Sequence, residues 1–489
     1  MSNPAMHDLS QLARPVPLRV LVPLIVACAL FMENLDATVL STALPAIAND
    51  LHDDPIQLKL ALTSYLLTLA VFIPASGWFA DRFGARLIFR LAIIIFAMGS
   101  ACCGLANSIG FLVGARALQG IGGAMMVPVG RLVILRTVPR SEIVGALAWL
   151  TIPALIGPVI GPPVGGFIAT FFTWRWIFWI NLPIAALGLV LATLFIPDVF
   201  GEEVSKFDFA GFLFSGLGLS ALVSASAALD ANVVSPLLVV SLLVLGLAGI
   251  GLYVRHARRA TAPLLDLELL RYPTFRAGAV GGSLFRIGVG AVPLLLPLLL
   301  QLGFGFSPLR SGLLTFVTAL GAIGMKVAAG RILRQWGFRR VLIFNSIVSA
   351  VFIAAPATFT PEMSMPLMIV VLFVGGFFRS LEFTCINAIS YAEIDQSKMS
   401  AATSLQSVLQ QFSLSMGVTV GASILQLTLA LRESSTLSAI DFWPAFLVIG
   451  AISFLATFSF ARLPEYAGEE LAGRKRAGSV QVNISNVRS

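Results

Sequence analysis

The sequence predicts an all-α membrane protein of about fourteen transmembrane helices, two six-helix halves with two extra helices between them. Three observations lead there. Hydrophobic residues make up 57% of the chain and charged residues 11%, against about 25% charged in soluble domains. Charge-free runs of membrane length recur along the chain. One short basic loop occurs twice, 253 residues apart.

A hydrocarbon core of about 30 Å takes about 20 apolar residues as a helix. Leu91 to Ala115 carries no charge over 25 residues, Trp176 to Ile196 none over 21, and Pro236 to Val254 none over 19. Lipid offers backbone amides no partner, so such runs form helices or a closed barrel. Barrel strands alternate apolar and polar residues over roughly 10 positions, and these runs do not. The spans fall at 19–46, 58–79, 88–107, 109–135, 144–170, 177–196, 209–229, 236–254, 275–300, 309–332, 340–359, 365–391, 401–430 and 442–461. The first starts beside Arg14 and Arg19 and has the outline of a signal peptide. It is too long and lacks a small-residue cleavage site, so it is read as retained.

Lys and Arg set the orientation. With the N-terminus inside, one set of loops collects Arg82, Arg86, Arg90, Arg136, Arg140, Arg255, Arg258, Arg259, Arg331, Arg334, Arg339 and Arg340, among others. The opposite loops hold only Lys59, Arg175, Arg310 and Arg432. An even span count returns the C-terminus to the first side, where Arg474-Lys475-Arg476 lies in a polar tail read as disordered. The expected boundaries are a cytoplasmic N-terminus at 1–18, a first half at 19–200, an inserted pair at 201–256, a second half with its preceding loop at 257–462 and a cytoplasmic tail at 463–489.

The net charge of +8 is spread over loop anchors, which points to the lipid bilayer as partner and away from nucleic acid. Cys28, Cys102, Cys103 and Cys385 fall inside spans and read as free thiols. His7, His52 and His256 lie outside them, so no metal centre or histidine acid–base cluster is expected in the membrane. An enzyme is thereby disfavoured.

The repeated loop reads Gly77-Trp-Phe-Ala-Asp81-Arg82-Phe-Gly84-Ala-Arg86, then Gly330-Arg331-Ile-Leu-Arg334-Gln-Trp-Gly337-Phe-Arg339. It is read as a basic turn pinned by glycines, a signature of internal duplication. Six helices with short loops fill roughly 190 residues, so the longer offset leaves space for two more, supplied by 208–254. Asp208 stands at the entrance of that pair, which otherwise lacks charge and suits the periphery of a bundle.

Further stretches carry a family resemblance. They are Leu35-Asp36-Ala-Thr38 with Ala43-Leu44-Pro45, Arg116-Ala-Leu-Gln119-Gly120, Gly157-Pro158-Val-Ile-Gly161-Pro162-Pro163-Val-Gly165-Gly166, and Trp174-Arg175-Trp176 with Asn181-Leu-Pro183. With the first loop copy, they resemble the major facilitator superfamily and, within it, the fourteen-span drug:proton antiporters of the EmrB/QacA type. The chain departs from that pattern at Ala85, at Ser41-Thr42 and at Glu33, an additional acid. The resemblance implies a major facilitator fold and proton-coupled efflux of small lipophilic compounds, cations included, across a bacterial inner membrane. It implies no cofactor beyond the proton gradient. Whether an adaptor and outer-membrane channel join it stays open, as does the alternative of one specific metabolite as substrate.

Glu33 and Asp36 are three residues apart and share a helix face. A carboxylate at the bilayer centre costs roughly 2.5–3.5 kcal/mol on insertion scales, so it faces the protein interior. Both are proton-coupling candidates with Arg116 as partner: Asp36, the one inside the family motif, is expected to be the main proton acceptor and Glu33 to supply charge beside it; the plainer alternative is a permanent Asp36–Arg116 packing pair. Arg286, Arg379 and Glu382 are the second-half counterparts and, with Glu33 and Asp36, candidates for a substrate cavity. Arg379 and Glu382, at i and i+3, are equally able to neutralise each other. Lys326 is placed to snorkel to the membrane surface. Gly157, Gly161 and Gly165 share a face at which a neighbouring helix can approach closely, while Pro158, Pro162 and Pro163 kink the span. Asp81 among Arg82, Arg86 and Arg90 reads as a charge latch, and the resemblance implies that it docks on a neighbouring helix end.

Overall fold

The computed structural model describes residues 18–138, 143–200, 206–228, 235–395, 398–434 and 436–469. Among them, all regular structure is helical. The expected N-terminal stretch up to residue 17 and the tail beyond residue 469 lie outside the described residues. The first half comprises α1 (Leu18–Leu51), α2 (Lys59–Phe83), α3 (Ala85–Gly104), α4 (Ile109–Thr137), α5 (Ile143–Phe171) and α6 (Trp176–Phe195). The inserted pair is α7 (Phe209–Ala228) and α8 (Pro236–Ala257). The second half comprises α9 (Pro273–Leu298), α10 (Pro308–Trp336), α11 (Phe338–Ala354), α12 (Met365–Ile389), α13 (Met399–Leu431) and α14 (Ala439–Ala461). Thirteen helices among the described residues are long and apolar enough to cross a membrane, and α5, with 29 residues, is the fourteenth.

Local chemistry sets several helix starts. Ser108 and Ser307 each accept a hydrogen bond from the backbone N–H three residues on, and Pro308 takes the first helical position. Such caps satisfy donors that have no partner within the helix.

The repeated loop is narrower than its sequence spacing implies. Gly77 and Gly330 lie inside α2 and α10, and a Cβ at either would meet nothing within 4 Å. The turn rests on the second glycine of each copy. Gly84 (φ +93°) joins α2 to α3, and Gly337 (φ +74°) joins α10 to α11. Both conformations strain any residue with a Cβ. The arginines at the third shared offset also act alike. Arg86 pairs with Asp198 at 3.3 Å and donates to Thr193 O, just beyond and within the last helix of its half. Arg339 pairs with Glu465 at 3.3 Å and donates to Ala461 O at 3.1 Å, at the end of α14. The end of the bundle that carries these loops is called the basic end below.

α1 packs closely on α5. The expected glycine face supplies the contact: Gly157 lies against Asn34 and Leu35, Gly161 against Thr38, and Gly165 against the Val39 carbonyl. Thr42 extends the seam, its hydroxyl donating to Pro162 O at 3.4 Å. Gly166 turns instead to the second half and meets Pro308 and Leu309, while Gly312 of α10 meets Pro162. Leu309 N donates to Thr170 Oγ1 at 3.0 Å, and Gln301 Nε2 to Thr42 O at 2.9 Å. These bonds join the halves at the end opposite the basic one, where Val39, Leu40, Leu44 and Ile47 share a core with Leu294 to Leu300.

The inserted helices are peripheral. α7 packs on α2 and α13, so it covers a seam between the halves, whereas α8 packs on α7. Only 22% of the α8 membrane window is buried, the lowest share of any span. Asp208 caps α7 through Gly211 N at 2.9 Å, accepts from Leu264 N at 3.0 Å and meets His256 Nε2 at 2.6 Å. Burial works against its carboxylate, but these donors outweigh it and hold Asp208 below the usual carboxylate range. The Trp78 ring of α2 lies tilted against that of Phe207, just ahead of α7, with ring centroids 4.8 Å apart.

The glycine contacts yield a direct contrast. Gly165→Val forces a side chain into the α1 backbone and is expected to cost at least about 1–3 kcal/mol, the range for overpacking. Gly77→Ala fills open space within a helix and is expected to be neutral or slightly stabilising. Thermal melting of the purified variants checks this; equal destabilisation by both contradicts the packing described.

Candidate functional site

α1 brings Asp36 to the centre of the first half, where it is 1% exposed. Its Oδ2 receives Arg116 Nη1 of α4 at 2.5 Å. Its Oδ1 accepts from Gln119 Nε2 at 2.8 Å and from Asn181 Nδ2 of α6 at 2.9 Å. Arg116 also donates to Gln119 Oε1 at 2.6 Å and, through Nε, to Ala61 O of α2 at 3.3 Å. Its guanidinium lies over the Tyr65 ring, 4.2 Å from the centroid. Asn181 reaches on to Ser100 Oγ of α3 at 3.0 Å. Five helices therefore meet at one buried ion pair. Close approach is permitted by Gly99 against the Gln119 backbone and by Gly120 against Tyr65 O.

Glu33, one turn from Asp36, behaves differently. It is half-buried, and its Oε2 has no hydrogen-bond partner. The charge of Arg131 on α4 acts on Glu33 without forming an ion pair with it. Arg131 is exposed and lies near enough to Tyr391, past the end of α12 in the second half, to act on it too. The two acids of α1 thus share a face but not a function-ready partner: Asp36 is saturated and Glu33 is not.

The second-half residues do not form one cluster. Arg379 and Glu382 make no ion pair with each other despite their spacing. Glu382 is fully buried and turns to α11, accepting from Asn345 Nδ2 at 2.7 Å, while its Oε1 has no partner. Arg379 lines a small pocket with Thr318, Phe352, Leu372 and Val292. Arg286 is fully buried without a carboxylate: it donates to Asn387 Oδ1 at 3.0 Å, and Gln406, its amide oxygen facing the guanidinium, accepts from both Nη atoms at 3.1 Å. Its Nε has no partner. Lys326, expected to snorkel, donates to Thr384 Oγ1 of α12 at 3.1 Å. In the loop, Asp81 pairs with Arg136 in the last turn of α4 at 2.6 Å, and Arg82 is exposed.

Several residues of this site escaped the sequence reading. Gln119 and Asn181 stood inside the quoted motifs, but nothing in spacing alone assigned them to Asp36. Ser100, Asn345, Asn387 and Gln406 are single polar residues in apolar runs, a weak signal. Arg131 sits within the fourth span, and its charge inside an apolar run was the available sign.

A double-mutant cycle tests the pair. Asp36→Asn or Arg116→Gln alone leaves a buried charge without its partner and is expected to cost about 3–5 kcal/mol. The double variant is expected to cost less than the sum. Additive losses in melting would show that the two charges do not depend on each other.

Residues 26–254 and 278–486 match the family model described as Major Facilitator Superfamily. Over 464 residues the chain is 36% identical to the protein named "Putative multidrug resistance protein MdtD" of Escherichia coli O157:H7, covering 94% of this chain and 97% of that one. The protein of the same name from Shigella boydii serotype 18 gives the same identity of 36%. A solved D-xylose-proton symporter is similar in fold, with a TM-score of 0.65 and 16% identity over 92% of this chain and 98% of its own. The nucleoside transporter NupG follows, with a TM-score of 0.59 and 14% identity over 91% and 98%.

Proposed function

The chain belongs to the major facilitator superfamily as a membrane transporter, and from that premise we propose that it exports small lipophilic compounds from a bacterial cell in exchange for protons. The observation that carries the proposal is the pairing of a saturated and an unsaturated acid on one face of α1. Glu33 is the proton-exchanging carboxyl: it is partly accessible, one oxygen lacks a partner, and Arg131 is near enough to attract its ionised form. Asp36 and Arg116 complete the coupling set, because their network makes any shift of α1 felt by α2, α3, α4 and α6.

The basic end is assigned to the cytoplasm by its excess of Lys and Arg, with both termini on the cytoplasmic side of the inner membrane. Alternating access then requires the halves to separate at one end and close at the other. The α1–α5 glycine face supplies a surface with few projecting side chains for that movement. The Asp81–Arg136 pair, with Gly84 fixing the adjacent turn, is the proposed latch at the basic end. A bound proton and a bound substrate bias the two arrangements only through differential affinity for them.

Energised everted vesicles test the reading. Addition of an exported compound is expected to collapse part of the pH gradient reported by an entrapped pH-sensitive dye. Glu33→Gln is expected to abolish that response while the protein still inserts and binds the compound. Transport with no proton movement for any compound removes antiport, and a normal response from Glu33→Gln removes Glu33 from the coupling step.

A further inference from the structure

Two buried polar atoms of the first half have no hydrogen-bond partner among the described residues: Glu33 Oε2 on α1 and the Tyr65 hydroxyl on α2. Buried polar side-chain atoms are bonded in the large majority of cases, and lipid offers them no substitute.

The packing of α1 on α4 brings the two to one level. Val26 of α1 fits against Gly130 of α4, where an added Cβ would come within 2.4 Å of its side chain. Ten residues further along α1, Asp36 meets Arg116 and Gln119, so α4 runs antiparallel to α1. Glu33 is seven residues past Val26, two helical turns on, and so on the same face. The matching step back from Gly130 on α4 is Gly123. There an added Cβ would lie 3.0 Å from the Tyr65 hydroxyl and 3.1 Å from Leu69. The hydroxyl therefore sits in the notch that Gly123 leaves, at the level where α4 faces Glu33.

The rest of Tyr65 reaches the ion pair. Its backbone carbonyl lies at Gly120, beside Gln119, where an added Cβ would be 2.9 Å from it. Arg116 Cζ stands 4.2 Å from the ring centroid. The side chain thus runs along α4 from the level of Asp36 to that of Glu33, and it is 2% exposed. The charges that act on it are those of Glu33, Asp36 and Arg116.

We propose that Tyr65 is the positioning residue that links the proton on Glu33 to the Asp36–Arg116 pair. The inference rests on the Glu33 reading above and names the residue through which that proton is felt. With Glu33 ionised, the hydroxyl donates to Oε2, directly or through one water. With Glu33 protonated, the carboxyl becomes a donor and the hydroxyl accepts. Tyr65 keeps its own proton throughout; the transferred proton enters and leaves at Glu33. Exchange of one bond for the other shifts a ring whose face carries the Arg116 guanidinium, a contact that depends on that placement. Protonation of Glu33 thereby alters the hold of Arg116 on Asp36, where five helices meet.

Infrared difference spectroscopy of the full-length protein in detergent, followed against pH, decides this on the carboxyl component that Glu33→Gln removes. Tyr65→Phe keeps the ring under Arg116 and deletes only the hydroxyl, so the melting temperature is expected to hold. Ionised Glu33 then loses a donor, and the pH at which the component is half-lost is expected to rise by about one unit or more. A second measurement needs no Tyr65 variant. A tyrosine ring component is expected to change together with the carboxyl component in the unmodified protein and to be absent in Glu33→Gln. An unchanged or lowered midpoint in Tyr65→Phe overturns the proposal, as does a tyrosine component that persists in Glu33→Gln or is missing from the unmodified protein. Those outcomes leave Glu33 as the exchanging group. Absence of the carboxyl component itself removes Glu33 from coupling, and this link with it.

Discussion

The buried Asp36–Arg116 ion pair is the constraint on which the first half depends. Two full charges at membrane depth are tolerable only when their geometry is good and their remaining atoms are bonded. Here the second carboxylate oxygen is taken by Gln119 and Asn181, and the guanidinium also reaches Ala61 O and the Tyr65 ring. This requirement explains why small residues crowd around it. Gly99 and Gly120 let α3, α4 and α2 approach within bonding reach, and Gly157 to Gly165 bring α5 onto the back of α1.

The second half repeats the frame without the pair. Its loop glycine, Gly337, and its clasp arginine, Arg339, match Gly84 and Arg86 in conformation and in partners. At the centre, however, Arg286 is held by the neutral amides of Asn387 and Gln406, and Glu382 by Asn345. Neutral partners hold a charge less firmly than an opposite charge does. A duplicated scaffold has therefore acquired one centre locked by charge and one whose charges remain available.

Much of this was legible in the sequence because a membrane span leaves a signal about 20 residues long. All fourteen helices appear in the expected order, with the inserted pair where the repeat offset placed it. Helix ends were less legible: α8 runs on to Ala257 and takes His256 into its last turn, since the membrane boundary does not end a helix. The repeat also misled in detail, because spacing equated two glycines of which only one turns the chain. Among site residues, Asp36 and Arg116 were readable as intramembrane charges. The i, i+3 rule placed Arg379 beside Glu382 but could not show that Asn345, from another helix, would take the carboxylate. Arg131 was legible only as a charge within the fourth span; its influence on Glu33 and Tyr391 exists only in the folded chain.

The division between a locked and a free acid on α1 is most directly tested by infrared difference spectroscopy of the purified protein between acidic and alkaline pH. The account predicts that one protonated-carboxyl component disappears in Glu33→Gln and is retained in Asp36→Asn. A component that survives Glu33→Gln and vanishes in Asp36→Asn would make the ion-paired aspartate the exchanging group and contradict the account.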